Sequence, residues 1–125
     1  MLQTELRDRD GFDSYVVSDC GAVCWMGPSR GPRNDGHNYT KDDVHSVALG
    51  LTAGTDINCG NCYTVANVQA ALSPKFSPPI LNLSTVDTAI RRTMRQRIEL
   101  GMLDLDYSEL ELGTPARCQC SRTRW

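Results

Sequence analysis

The stretch that most constrains this chain is Gly11–Val23, GFDSYVVSDCGAV. Tyr15, Val16 and Val17 form an aromatic and β-branched run, with turn signals at Gly11 and Asp13 before it and at Gly21 after it. A run of this kind, without polar alternation, predicts a short parallel strand over 14–18 that is covered on both faces. Asp19 follows at once. In α/β folds, chemistry sits beyond the carboxyl ends of the strands, so Asp19 stands where a catalytic carboxylate is expected. The competing reading makes Ser18 and Asp19 ordinary turn or capping residues.

The rest of the chain alternates helix and strand signals around that stretch. Leu2 and Leu6, four apart among charged residues, predict the end of a helix over 2–9 that Gly11 closes. Residues 20–39 read as a long loop rich in glycine and proline, with Trp25 early in it. Thr40 and Asp43 have capping-box spacing and predict the start of a helix whose apolar face is Val44, Val47, Ala48 and Leu51. His45 falls off that face and is expected in solvent. Gly54 ends the helix, and 55–58 reads as a second short strand carrying Asp56. Tyr63–Leu72 predicts a further helix with Val65, Val68 and Leu72 on one side. Pro74, Pro78 and Pro79 stop it. Ser84 and Asp87 repeat the capping-box spacing before a helix with Val86, Ile90, Met94 and Ile98 as its apolar stripe, closed by Gly101. Arg91, Arg92, Arg95 and Arg97 read as a solvated face suited to the helix carboxyl end.

Three blocks resemble the family-3 glycoside hydrolases, most closely their β-xylosidase-type branch: GFDSYVVSDCGAV (11–23), AGTDINCG (53–60) and VDTAIRRTMRQRIELGMLD (86–104). The resemblance implies an α/β fold, a partial (β/α)8 barrel consisting of its last two strand–helix units. Residues 1–106 would be the carboxyl-terminal part of the family's barrel domain. Residues 107–125, ending ELGTPARCQCSRTRW, carry no family pattern and read as an irregular, disordered tail of the kind a frame shift leaves. A quarter of a barrel leaves a parallel strand edge open. The expectation is therefore a fragment, a truncated gene model or a degraded copy of a larger enzyme.

The same resemblance implies retaining hydrolysis of β-xylosides or related plant cell-wall oligosaccharides. Asp19 matches the family nucleophile, and the substrate would be an oligosaccharide or aryl glycoside. The family's acid/base glutamate comes from a second domain, so Glu99, Glu109 and Glu111 are not assigned that role, and His37 matches no family position. Asp56 is expected to be a hydrogen-bonded structural residue. Trp25 is a sugar-stacking platform on one reading and a packing residue over the barrel mouth on the other. No cofactor or metal is called for, and turnover would need the remaining barrel strands and the second domain.

Six cysteines are many for 125 residues. Cys20–Cys24 and Cys59–Cys62 have spacings akin to zinc-ligand pairs, which gives the rival reading of a small zinc-binding or secreted binding module. The xylosidase-like members carry cysteines matching Cys20 and Cys59. Both residues follow the ends of strands expected to be neighbours, about 4.8 Å apart. A Cys20–Cys59 bridge is the expectation, with Cys24–Cys62 as a second candidate pair and Cys118 and Cys120 in the tail. A disulfide implies an oxidising compartment, and the sequons at Asn38 and Asn82 point the same way, so the parent protein is expected outside the cell. The chain's own start lacks the apolar centre of a signal peptide. A net charge of −2 offers nucleic acid no basic field, and no apolar run is long enough to span a membrane.

Overall fold

A computed structural model describes residues 2–28, 36–76 and 79–103. The expectations for the tail, including Cys118, Cys120, Glu109 and Glu111, and for the centre of the long loop lie outside the described residues.

Residues Leu2–Arg9 wind as a π-helix, wider than the α-helical turn the leucine spacing suggests. Its buried residue is Arg7 rather than either leucine. Four α-helices follow: α1 Ala22–Trp25, α2 Asp43–Thr52, α3 Val65–Ala71 and α4 Leu83–Glu99. The helix α2 is central and packs against each of the other three. Val47, Ala48 and Leu51 of its apolar face meet Val23 and Cys24 of α1, Ala71 of α3, Ala89 of α4, and Cys62 and Leu81 from the connections. These are mostly small side chains, so the interior is modest. No helix among the described residues is long and apolar enough to cross a membrane.

The two expected strands are reduced to one isolated parallel bridge, Val17 to Ile57. Their backbones are nonetheless joined: Val16 O accepts from the amides of Asp56 (2.9 Å) and Ile57 (3.0 Å), and Ser18 N–H donates to Ile57 O (2.9 Å). The ladder is short because side chains take over at both ends. The Val16 amide donates to Asp56 Oδ2 at 2.8 Å, and the Cys59 amide donates to Ser18 Oγ at 3.0 Å. The first segment is not covered on both faces, since Tyr15 and Val17 are 37% and 48% exposed.

Local capping also departs from the spacing rules. Asp42, not Thr40, caps α2, its carboxylate accepting from the His45 amide at 2.9 Å. Thr40 instead pairs its hydroxyl with the buried Ser46. His45 is not free in solvent: its ring bonds Asp42 at 2.7 Å and stands edge-on to Phe76. Burial alone would raise the Asp42 carboxyl, but the hydrogen bonds from His45 and the charges of His45 and Lys41 outweigh it and hold the group below its ordinary range. Gly54, at φ 102°, ends α2 where expected. Thr64 caps α3, which turns Val65 outward, 74% exposed. Asn82 occupies the cap position of α4, placing Ser84 inside the first turn instead. Along α4 the expected apolar stripe is largely uncovered: Ile90 and Ile98 are 55% and 56% exposed, while Ala89 is buried.

Candidate active site

The ends of the two extended segments are tied together by four links within a few residues. Ser18 N–H reaches Ile57 O, Cys59 N–H reaches Ser18 Oγ, Gly21 N–H reaches Cys59 O at 2.7 Å, and Cys20 is joined to Cys59 by a disulfide with Cα atoms 4.3 Å apart. Asp19 sits inside this knot. It lies just past the parallel bridge, one residue before the disulfide and three before α1, and it is exposed. Its Oδ1 accepts the Cys20 amide at 2.8 Å. The Gly21 amide does not serve this carboxylate, since it donates to Cys59 O.

Gly21 turns the chain into α1 with φ 82°. A Cβ at this position would lie 3.5 Å from the Trp25 ring, so the indole packs over the turn that follows Asp19. The ring remains 46% exposed. It thus packs and also presents surface. A cavity of about 320 Å³ opens beside Asp19, walled by Ser18, Ala22, Val23, Met26, Leu49 and Ala53 among others. Asp19 is the one carboxylate among the described residues lining it.

A second cluster supports the segments from behind. Asp56 Oδ2 accepts from Arg7 Nη2 at 2.5 Å and from the Val16 amide at 2.8 Å, and Oδ1 accepts from Arg92 Nη1 at 3.2 Å. The side chains of Arg7 and Asp56 are 3% and 2% exposed. Arg7 Nη1 also donates to Ser14 O at 2.8 Å, and Nη2 to Gly54 O at 3.1 Å. Asp56 therefore joins the π-helix, both extended segments and α4. The sequence offered no signal for Arg7, and Arg92 was hidden in the arginine run. That run is not one solvated face: Arg92 turns inward, whereas Arg95 pairs on the surface with Glu99 and Asp13. Nearby, Tyr63 donates its hydroxyl to Thr55 O at 3.0 Å. Burial, and then the neighbouring Cys62 and Asp56, push its phenol well above the ordinary value.

Cys24 and Cys62 lie buried as thiols with no bridge between them. The zinc reading that pairs Cys20–Cys24 with Cys59–Cys62 does not form, because Cys20 and Cys59 are consumed by their disulfide.

Several known proteins similar to this chain are described as β-xylosidases. A xylan 1,4-beta-xylosidase of Xylanibacter ruminicola is 34% identical over 104 residues, covering 83% of this chain and 11% of the relative. Probable exo-1,4-beta-xylosidases of Aspergillus terreus and Aspergillus clavatus are 32% and 34% identical, each over 83% of this chain and 12% of the relative. No family model matches the chain, and no solved structure matches it. The chain thus spans about an eighth of the length of these relatives. With roughly a third of the aligned residues identical along most of its length, it belongs to the same family as these β-xylosidases.

Proposed function

We propose that this chain is the carboxyl-terminal portion of the (β/α)8 barrel of a family-3 glycoside hydrolase, and that Asp19 is the nucleophile of a retaining β-xylosidase. The observation that carries this reading is an exposed carboxylate at the carboxyl end of a parallel pair, in a chain similar to β-xylosidases over 83% of its length. The uncovered apolar positions are in keeping with it. Tyr15 and Val17 on the first segment, and Ile90 and Ile98 on α4, are the surfaces that the other units of a barrel would cover.

In this mechanism ionised Asp19 attacks the anomeric carbon of a β-xyloside. The aglycone oxygen departs with a proton from a second carboxyl group, about 5–5.5 Å away in retaining enzymes. Water, deprotonated by that second group, then releases xylose and restores Asp19. The disulfide and the Ser18 links hold the attacking oxygen in place, which is what a displacement at carbon needs. The second carboxyl group belongs to another part of the protein: Glu99 is engaged with Arg95 on the surface of α4. Trp25 supplies a stacking face beside the nucleophile. Such a protein would work outside the cell, where its disulfide persists.

The test is covalent trapping in the protein that carries this segment with the rest of the barrel. A 2-deoxy-2-fluoroxyloside with a good leaving group should label the peptide containing Asp19. Asp19→Gly should lose turnover, and added azide should restore it with formation of the α-xylosyl azide. Labelling of a different carboxylate, or normal turnover by Asp19→Gly, removes the assignment.

A further inference from the structure

Besides the candidate active site and the Arg7–Asp56–Arg92 cluster, a further group of chemistry-bearing side chains comes together among the described residues. The thiols of Cys24 and Cys62 and a carboxylate oxygen of Asp43 all lie within 4.8 Å of one another. They come from three elements: Cys24 from α1, Asp43 from the first turn of α2, and Cys62 from the turn between the second extended segment and α3. Cys24 and Cys62 are 8% and 0% exposed, and Asp43 Oδ1 is buried. The Cys24 thiol donates to Asn61 Oδ1 at 3.9 Å, so a second oxygen neighbours that sulfur.

We propose that Cys24, Cys62 and Asp43 bind a borderline-soft divalent cation, Zn²⁺ in the first instance, with Asn61 Oδ1 or a water as fourth ligand. A tetrahedral zinc with Zn–S near 2.3 Å and Zn–O near 2.1 Å holds its ligand atoms about 3.5–3.8 Å apart. The three atoms are therefore within about 1 Å of a closed coordination sphere. Two sulfurs with oxygen donors select zinc over magnesium or calcium, which take oxygen alone. The carboxylate is what separates this site from a second disulfide. A Cys24–Cys62 bridge would engage the two sulfurs alone, whereas a cation draws on all three groups. On binding, the two thiols release their protons to solvent and the metal gains two thiolate ligands. The site would clamp α1 to α2 and to the turn at Cys62, independently of the Cys20–Cys59 disulfide and of any glycosidase chemistry.

Cobalt is the probe. Co²⁺ added to the metal-stripped chain, purified anaerobically with its Cys20–Cys59 disulfide intact, should give a thiolate-to-cobalt charge-transfer band and intense tetrahedral d–d bands. These should saturate at about one equivalent and be displaced by Zn²⁺. Cys24→Ser and Cys62→Ser should each weaken zinc by about 100-fold or more, and Asp43→Asn by about 10-fold or more. In the wild-type chain, zinc should protect Cys24 and Cys62 from alkylation, a readout that needs no variant to fold. The proposal is overturned by a cobalt spectrum without the thiolate band, by alkylation unaffected by zinc, or by peptide mapping that shows Cys24 joined to Cys62.

Discussion

Replacing Asp56 with alanine is the perturbation that probes this architecture most directly. The carboxylate accepts three hydrogen bonds, from Arg7, the Val16 amide and Arg92, and its side chain is 2% exposed. Removing one member of a buried ion pair costs about 3–5 kcal/mol, because the other charge stays buried without its counterpart. Arg7 keeps the carbonyls of Ser14 and Gly54, which places the expected loss near the lower end, about 3 kcal/mol. That is a large share of the 5–15 kcal/mol typical of a whole small domain, of which about 5 is the better guide for a core this modest. Arg92 is more exposed, at 19%, and its bond is longer, so Arg92→Ala should cost about 1 kcal/mol or less. Combining Arg7→Met with Asp56→Leu should recover most of the loss, since an apolar pair carries no desolvation penalty. Urea unfolding followed by circular dichroism gives the differences directly, provided the slope with denaturant is unchanged. An Asp56→Ala chain within about 1 kcal/mol of wild type, or a double variant no better than the single one, would refute the reasoning.

The remaining expectations concern α2 and its surroundings. Loss of the Cys20–Cys59 bridge, which spans 39 residues, should cost about 4 kcal/mol on chain-entropy grounds, measured as the shift in the urea midpoint of Cys20→Ser with Cys59→Ser. Gly50→Ala should destabilise by about 1–3 kcal/mol despite the better helix former, because the added Cβ would lie 2.7 Å from Tyr63 Oη; a more stable variant would show that Tyr63 moves freely. The raised phenol of Tyr63 favours the folded chain below its ordinary value of 10, and that contribution is lost as the pH climbs towards the higher folded value. Ultraviolet titration should therefore show Tyr63 protonated well above pH 10 until the chain unfolds, and ordinary titration of all tyrosines would contradict its burial. Asp42→Ala should cost about 1 kcal/mol through the lost cap. The lowered Asp42 carboxyl contributes stability above its ordinary 3.8, which is lost as the pH falls through the lower folded value. Asp42→Asn should keep the cap and lose that acid dependence, which a stability profile from pH 2 to pH 6, about two units either side of 3.8, would reveal.

Much of the helical layout was legible because periodicity and punctuation are local properties. Val47, Ala48 and Leu51 read as one face and form one, and Gly54 ends α2 as its position suggested. Asp56 read as a bonded structural acid and is one, although the partners that make it so come from residues 7 and 92. Spacing rules failed where two neighbouring residues competed for one role. Asp42 wins the cap from Thr40 because the Thr40 hydroxyl is already engaged by Ser46. The apolar stripe of α4 was correctly patterned, yet patterning reports what a helix is suited to bury, not what lies against it.

By itself, the amino-acid sequence determined the family likeness, the order of the longer helices and the position of Asp19 directly after an extended run, but not α1, which lies where the sequence read as loop. Those follow from residue identities and from spacings of a few residues. The Cys20–Cys59 bridge was also expected from the sequence. Tertiary structure alone decided that Ser18 and Gly21 tie to residues 57–59 as well, that Arg7 and Arg92 converge on Asp56, and that Cys24, Asp43 and Cys62 come together. Each of these joins groups tens of residues apart. Nothing local in the chain encodes such a meeting; it arises only when packing around α2 brings separate segments to the same place.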